Sequence, residues 1–182
     1  LILCISIFAI YNPINLLLGA LSGFGLATYT YFKRKFWSGP FYNAWIVAVL
    51  FLMAYLCGSD ILTFTGNHKF IYGLSAVFWG YANFVLVGYF KDVEADRATG
   101  YNTFLVVFGR RLSSIASNIF GLMTIITTLS VFTYTNSLDQ LIEDRPYETI
   151  ILLIGSLVMF LCQVLVHFIK KDDESSNAIS LS

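Results

Sequence analysis

The chain has 182 residues, of which 57% are hydrophobic and 12% charged, and its eleven basic and eleven acidic residues balance to a formal net charge of zero. A soluble domain carries about 25% charged residues, so this composition, with a mean hydropathy of +0.73, excludes a water-exposed globule and makes a lipid bilayer the expected solvent. The zero net charge leaves no electrostatic basis for binding nucleic acid.

The hydrocarbon core of a bilayer takes about 20 mainly apolar residues per helix, and apolar runs of that kind follow one another along the chain. Residues 1–10 predict the end of one span. They carry neither a basic flank nor a small-residue cleavage site, so a fragment opening inside a transmembrane helix is expected rather than a signal peptide. Asn12-Pro13 predicts a tight connection, with Asn12 as helix cap and Pro13 at the first helical position. Further spans are expected at about 14–32, 41–63, 70–90, 112–134 and 149–169. Residues 1–171 thus form one all-α, multi-pass transmembrane bundle, followed by a polar tail over 172–182. Gly19 and Gly23 make a small-xxx-small pair suited to close helix packing. Trp37 and Trp45 flank the start of a span as interfacial anchors do. Cys4, Cys57 and Cys162 all lie in apolar segments at unrelated spacings, which suits packed thiols. His68 and His167 have no second ligand at metal spacing.

Charge placement sets the orientation. Alternating spans put Lys33-Arg34-Lys35, the connection 91–111 and Lys170-Lys171 on one face, and these hold nine of the eleven Lys and Arg residues. The other face has Lys69 and Arg145 beside Asp139, Glu143, Asp144 and Glu148. Short loops rich in Lys and Arg stay in the cytoplasm, so the basic face is expected to be cytoplasmic, in a protein of the plasma membrane of a prokaryote.

The chemistry concentrates in residues 89–103, YFKDVEADRATGYNT, directly after a charge-free run. Asp92 and Asp96 stand at i and i+4, so a helix continuing from Phe70 through them brings both carboxylates to one face. Two such carboxylates repel unless a cation lies between them, and hard oxygens so placed suit Mg²⁺, which completes its shell with water and substrate phosphate. Lys91 and Arg97 bracket the pair and suit the remaining phosphate charge. Gly100 lets the chain turn. Backward from Asp92 at helical spacing come Tyr89, Gly88, Val85 and Tyr81, an aromatic-lined groove of the kind that stabilises a cation. The plainer readings are a solvated mixed-charge loop that only sets topology and, for Tyr89, an interfacial aromatic belt.

The segment Asp92-Val-Glu-Ala-Asp96-Arg-Ala-Thr-Gly100-Tyr-Asn-Thr103 resembles the second aspartate-rich motif of the UbiA-type intramembrane prenyltransferases, DxxxD followed by a glycine and a threonine. Upstream, Tyr29-Thr-Tyr-Phe-Lys33-Arg34 resembles that family's Y-x-x-x-K-R segment, and two expected spans separate the motifs, as the family's fold requires. The resemblance covers nearly the whole chain, as the later part of a family member. It implies an all-helical bundle with a cytoplasmic-side cavity, in which Mg²⁺ and a polyprenyl diphosphate bind and the prenyl group passes to an aromatic or other lipophilic acceptor. By position, Asp92 and Asp96 would hold Mg²⁺-diphosphate, with Glu94 as a helper. Lys33 and Arg34 would face the diphosphate, and Tyr29 would line the site. Quinone, haem, chlorophyll and ether-lipid branches all fit these residues.

Three departures stand out. The family's first motif, N-D-x-x-D-x-x-x-D, is absent, so the fragment alone is expected to be inactive. Thr103-Phe104-Leu105 replaces a common Thr-Leu-Pro, and the family's last span is missing or begins after Ser182. The nearest enzymatic rival is a CDP-alcohol phosphotransferase, whose GxxxDxxxD ending Gly88, Asp92 and Asp96 satisfy, but Phe78-Trp79 stands where that motif has Ala-Arg. A transporter or structural membrane subunit is the non-enzymatic rival. Transporters place ionisable groups near the midplane, whereas here every one but His167 lies at or beyond a span end.

Overall fold

A bilayer offers no partner for a free backbone N–H or C=O, so a spanning chain must satisfy its own hydrogen bonds, and a helix does this within one segment. The computed structural model describes residues 2–59, 66–134 and 146–168, with side chains for all of these except 2–4 and 166–168. Among the described residues every regular element is an α-helix: α1 (Ile2–Tyr11), α2 (Ile14–Lys35), α3 (Gly39–Leu56), α4 (His68–Ala98), α5 (Phe104–Thr133) and α6 (Pro146–Phe168). The segments Gly39–Leu56, His68–Ala98, Phe104–Thr133 and Pro146–Leu165 are long and apolar enough to cross a membrane. α2 has the length, 22 residues, but Asn15, Ser22, Thr28 and Thr30 dilute its apolar character. The chain is therefore a multi-pass helical membrane bundle. The end of the expected 41–63 span, the outer connection with Asp139, Glu143, Asp144 and Arg145, the pair Lys170-Lys171, the tail 172–182 and the side chains of Cys4 and His167 lie outside the described residues.

Consecutive helices are neighbours, α2 on α1 and α3, then α3 on α4, α4 on α5 and α5 on α6. The core lies among α3, α4 and α5, where Phe41 meets Phe120 edge-on at 5.2 Å between ring centroids and Trp79 tilts over Phe120 at 5.4 Å. Outside this core the usual pattern is inverted. Leu16, Leu17 and Phe24 of α2, Ile119 and Leu122 of α5 and Ile151 and Leu153 of α6 all point outward, which accounts for the hydropathy because their solvent is lipid.

Most polar residues inside the spans find local partners, as hydrocarbon demands, although Asn15 Oδ1 and Ser22 Oγ of α2 are buried without one. The hydroxyls of Ser113, Thr124 and Thr127 donate to the carbonyls of Gly109, Phe120 and Met123, one turn back. Ser117 joins three helices: its Oγ lies 2.7 Å from Asn83 Oδ1 and 2.9 Å from Gln163 Oε1. One hydroxyl proton serves only one of these acceptors. Turning the Gln163 amide end for end lets its Nε2, otherwise without a partner, donate to Ser117.

Close approach of α2 and α3 depends on Gly25. A Cβ there would stand 2.7 Å from Ile46 Cγ1 and from the Trp45 ring. Of the expected glycine pair, Gly19 instead meets Ile5 of α1. Trp37 is exposed and edge-on to Phe104 and Phe108, at 5.7 and 5.1 Å, as an interfacial anchor is. Trp45 lies deeper, against Tyr42 at 5.6 Å. At the start of α2 the Asn12 side chain accepts from the Ile14 N–H at 3.2 Å, the capping that Asn12-Pro13 predicts.

α4 and α5 extend beyond their expected spans. The 31 residues of α4 cover about 46 Å at ~1.5 Å per residue, against a hydrocarbon core of about 30 Å, so the helix carries on through Lys91–Arg97 and stands proud of the apolar layer. It ends in a Schellman motif: Gly100 takes φ +70°, its N–H donates to Arg97 O at 3.2 Å, and the Tyr101 N–H donates to Asp96 O at 2.9 Å. The expected connection over 91–111 therefore shrinks to 99–103, because α5 begins at Phe104 and only kinks at Gly109 (φ 72°, ψ 173°). Asn102 closes the connection onto α2, its N–H donating to Arg34 O at 3.3 Å and its Nδ2 to Lys35 O at 3.5 Å. Those carbonyls are among the unsatisfied last acceptors of α2.

Two substitutions separate packing from hydrogen bonding. Gly25→Val forces α2 and α3 apart and should cost about 1–3 kcal/mol, read as a lowered Tm of the full-length protein in nanodiscs. Ser117→Ala, which removes a membrane-interior hydrogen bond, should cost about 0.6 kcal/mol, and at most ~2. A Gly25→Val protein as stable as the wild type would contradict the α2–α3 contact.

Candidate active site

The buried stripe of α4 runs Ala82, Leu86, Tyr89, Val93, Asp96, so an acid occupies a core position in the last turn. Asp96 is 3% exposed. Asp92, a turn earlier on the same helix, lies off that stripe and is exposed, as Gly88 is. The two carboxylates thus occupy neighbouring faces at one end of the bundle, one shut in and one open.

What meets Asp96 comes from α2. Lys33 Nζ donates to Asp96 Oδ1 at 2.8 Å, with the two side chains 19% and 5% exposed. One turn back on α2, the Tyr29 hydroxyl lies 3.1 Å from that of Tyr89, so α2 and α4 are joined by two rungs. The Tyr89 hydroxyl also stands where a Cβ of residue 39 would be, so the first turn of α3 can approach only because Gly39 has no side chain.

Lys33 Nζ lies 5.2 Å from the Tyr89 ring centroid and 5.0 Å from that of Tyr101, within cation–π range of both. Asp96 Oδ2 is buried with no hydrogen-bond partner. Asn15 Oδ1, Ser22 Oγ and Thr103 Oγ1 are buried in the same state, but Asp96 Oδ2 alone among these oxygens belongs to a carboxylate, whose need for a partner is the greatest. Mg²⁺ needs only one or two carboxylates from a protein and takes the rest of its shell from water and phosphate. Asp96 Oδ2 and the exposed carboxylate of Asp92 are the two acids at this end of α4 whose number and hard oxygens would suit such an ion. Among the described residues no group of three or more His, Cys, Asp or Glu side chains surrounds a common point.

The other nominated residues are spread more widely. Glu94 and Arg97 pair with each other at 3.5 Å, 72% and 50% exposed, a surface pair worth little that leaves Glu94 on a different face from Asp96. Lys91 and Arg34 are exposed on the same rim. Val85 is a core residue, and Tyr81 packs partly buried against the same core, 5.6 Å from Phe84 between ring centroids. The aromatic face expected below Asp92 is therefore divided, with Tyr89, Val85 and Tyr81 turned into the helix packing and Gly88 left open. Cavities of about 430 and 310 Å³ lie elsewhere, between α5 and α6, and both are lined by Ile125 and Met159.

Tyr101 and Gly39 were not among the nominated residues. For Tyr101 a signal was available, since the residue after a helix-ending glycine is the one a Schellman motif folds back over the last turn. For Gly39 none was, because its role is to leave room for a side chain of a different helix.

No protein of curated function and no solved structure matches the sequence. The family model that does match is the UbiA prenyltransferase family, over residues 1–181. Because that match covers residues 1–181, through every helix described, the chain belongs to the UbiA prenyltransferase family.

Proposed function

We propose that the protein moves a polyprenyl group from its diphosphate to an aromatic or other lipophilic acceptor, with Mg²⁺, and that the α2–α4 end of the bundle receives the diphosphate. The observation that carries this reading is Asp96, a buried acid with one oxygen on Lys33 at 2.8 Å and the other without a partner. A carboxylate with one oxygen on a lysine and the other without a protein partner can still accept a cation, and this supports the reading. Membership of a prenyltransferase family favours this reading over a CDP-alcohol phosphotransferase, a transporter or a structural subunit.

In this reading Asp96 and Asp92 hold Mg²⁺, and Glu94, exposed and turned away, helps only by its charge. Bound there, the ion supplies Lewis-acid neutralisation of the departing diphosphate. Lys33 offers a point charge to the diphosphate oxygens, and Arg34 offers a fork that can bind two of them. Lys91 and Arg97 on the rim add attraction for the approaching anion. The allylic C–O bond breaks with both electrons leaving on the diphosphate oxygen. The acceptor then supplies an electron pair to the allylic carbon and loses a proton. Tyr29, half-buried on α2, offers an aromatic side chain at the site, where a ring face suits a carbon-centred cation. Tyr89 and Tyr81, packed into the core, back this end of the bundle rather than line a groove. Lipid-facing helices keep water from intercepting it. The basic rim fits a cytoplasmic-facing site in the plasma membrane of a prokaryote.

Purified full-length protein supplied with a radiolabelled prenyl diphosphate and membranes containing the acceptor should incorporate label, and Asp92→Ala or Asp96→Ala should abolish this. Full activity in both variants would overturn the assignment. Lys33→Ala should raise the KM for prenyl diphosphate or lower kcat by about tenfold or more, the weight of a charged hydrogen bond. Unchanged kinetics would leave Lys33 as a topology signal alone.

A further inference from the structure

We propose that Tyr101 is a positioning residue, forming with Tyr89 an aromatic clamp that keeps the Lys33 ammonium at the site whichever anion it faces. The proposal rests on the reading of this end of the bundle as a diphosphate site.

A lysine at a membrane interface ordinarily extends its stem toward water, and its four-carbon chain has little stiffness of its own. Lys33 does not extend. Its Nζ is held by Asp96 Oδ1 at 2.8 Å and lies over two rings, at 5.2 Å for Tyr89 and 5.0 Å for Tyr101. The two rings arrive by independent routes. Tyr89 belongs to the buried stripe of α4 and is fixed by its hydrogen bond to Tyr29. Tyr101 is delivered by the left-handed Gly100, and its N–H is bound to the carbonyl of Asp96 itself. Asp96 therefore grips Lys33 with its carboxylate and Tyr101 with its backbone. The next residue, Asn102, is tied to Arg34, the neighbour of Lys33, so the backbone is pinned on both sides of the Lys33–Tyr101 contact.

This arrangement answers a chemical problem in the site. A carboxylate that takes a divalent cation on its free oxygen shares its charge between the cation and the lysine, so its hold on Lys33 weakens, and an unclamped ammonium would swing out into water when the diphosphate needs it. A ring face binds a cation without competing for it as an anion does. With two faces around it, Lys33 keeps its place while Asp96 takes on the cation.

The test measures inorganic diphosphate with Mg²⁺ binding to full-length protein in nanodiscs by calorimetry. In parallel, the rate of Lys33 acetylation without any ligand is read by peptide mass spectrometry. Tyr101→Leu, which keeps bulk and loses the ring, should weaken diphosphate binding about fivefold and speed Lys33 acetylation. Tyr101→Phe, which keeps the ring face, should restore both. In a Lys33→Met background Tyr101→Leu should cause no further loss of binding. An equal loss with and without the lysine charge, or unchanged binding and acetylation in Tyr101→Leu, overturns the role given to Tyr101. Wild-type protein that binds no diphosphate overturns the reading of the site, and the positioning role with it.

Discussion

The arrangement at the basic end of this protein depends on one ion pair, Lys33 to Asp96 at 2.8 Å. An acid in the last turn of a core stripe is costly, since a buried charge loses several kcal/mol of hydration (~3–5 if its partner is removed). The fold meets that cost with a lysine from another helix and with ring faces on the lysine. Each provision carries structure with it. Bringing Lys33 to Asp96 sets α2 beside α4, Tyr29 beside Tyr89, and the connection 99–103 against the end of α2. Among the described residues no partner satisfies the second oxygen of Asp96, and this leaves the staple with a carboxylate oxygen to spare.

The rest of the bundle follows from its solvent. Apolar side chains face outward without penalty in lipid, so tight packing falls to small residues, as at Gly25 against Trp45 and Ile46. The hydroxyls of Ser113, Thr124 and Thr127 return to their own helix, and the Asn83, Ser117 and Gln163 cluster supplies a polar join where α6 otherwise meets the bundle lightly. Length matters too. α4 outlasts the apolar layer, and this overhang lets a transmembrane helix carry charged residues on its final turns while keeping the core stripe of the turns below.

Much of this was legible in the sequence for a simple reason: hydropathy over about 20 residues reports directly on which segments a bilayer accepts. The i, i+4 spacing of Asp92 and Asp96 and the turn at Gly100 were equally local facts. The division between the two aspartates was not, because burial is decided by what packs opposite. No spacing along α4 says that α2 arrives over residue 96 and leaves residue 92 open. For the same reason Tyr89 and Val85 read as lining a groove, although α3 and α5 cover them. The kink at Gly109 was hidden because a single glycine in a hydrophobic run is also a tolerated helix residue.

Asp96 is a buried acid held by Lys33, and a thermodynamic cycle on these two residues tests that hold most directly. Thermal unfolding of full-length protein in nanodiscs, above neutral pH, would compare Lys33→Met, Asp96→Asn and the double variant. Lys33→Met strands a buried carboxylate and should destabilise by about 3 kcal/mol, while adding Asp96→Asn should recover most of that loss. If Lys33→Met is as stable as the wild type, or if the two losses simply add, the pair does not hold this end of the bundle together.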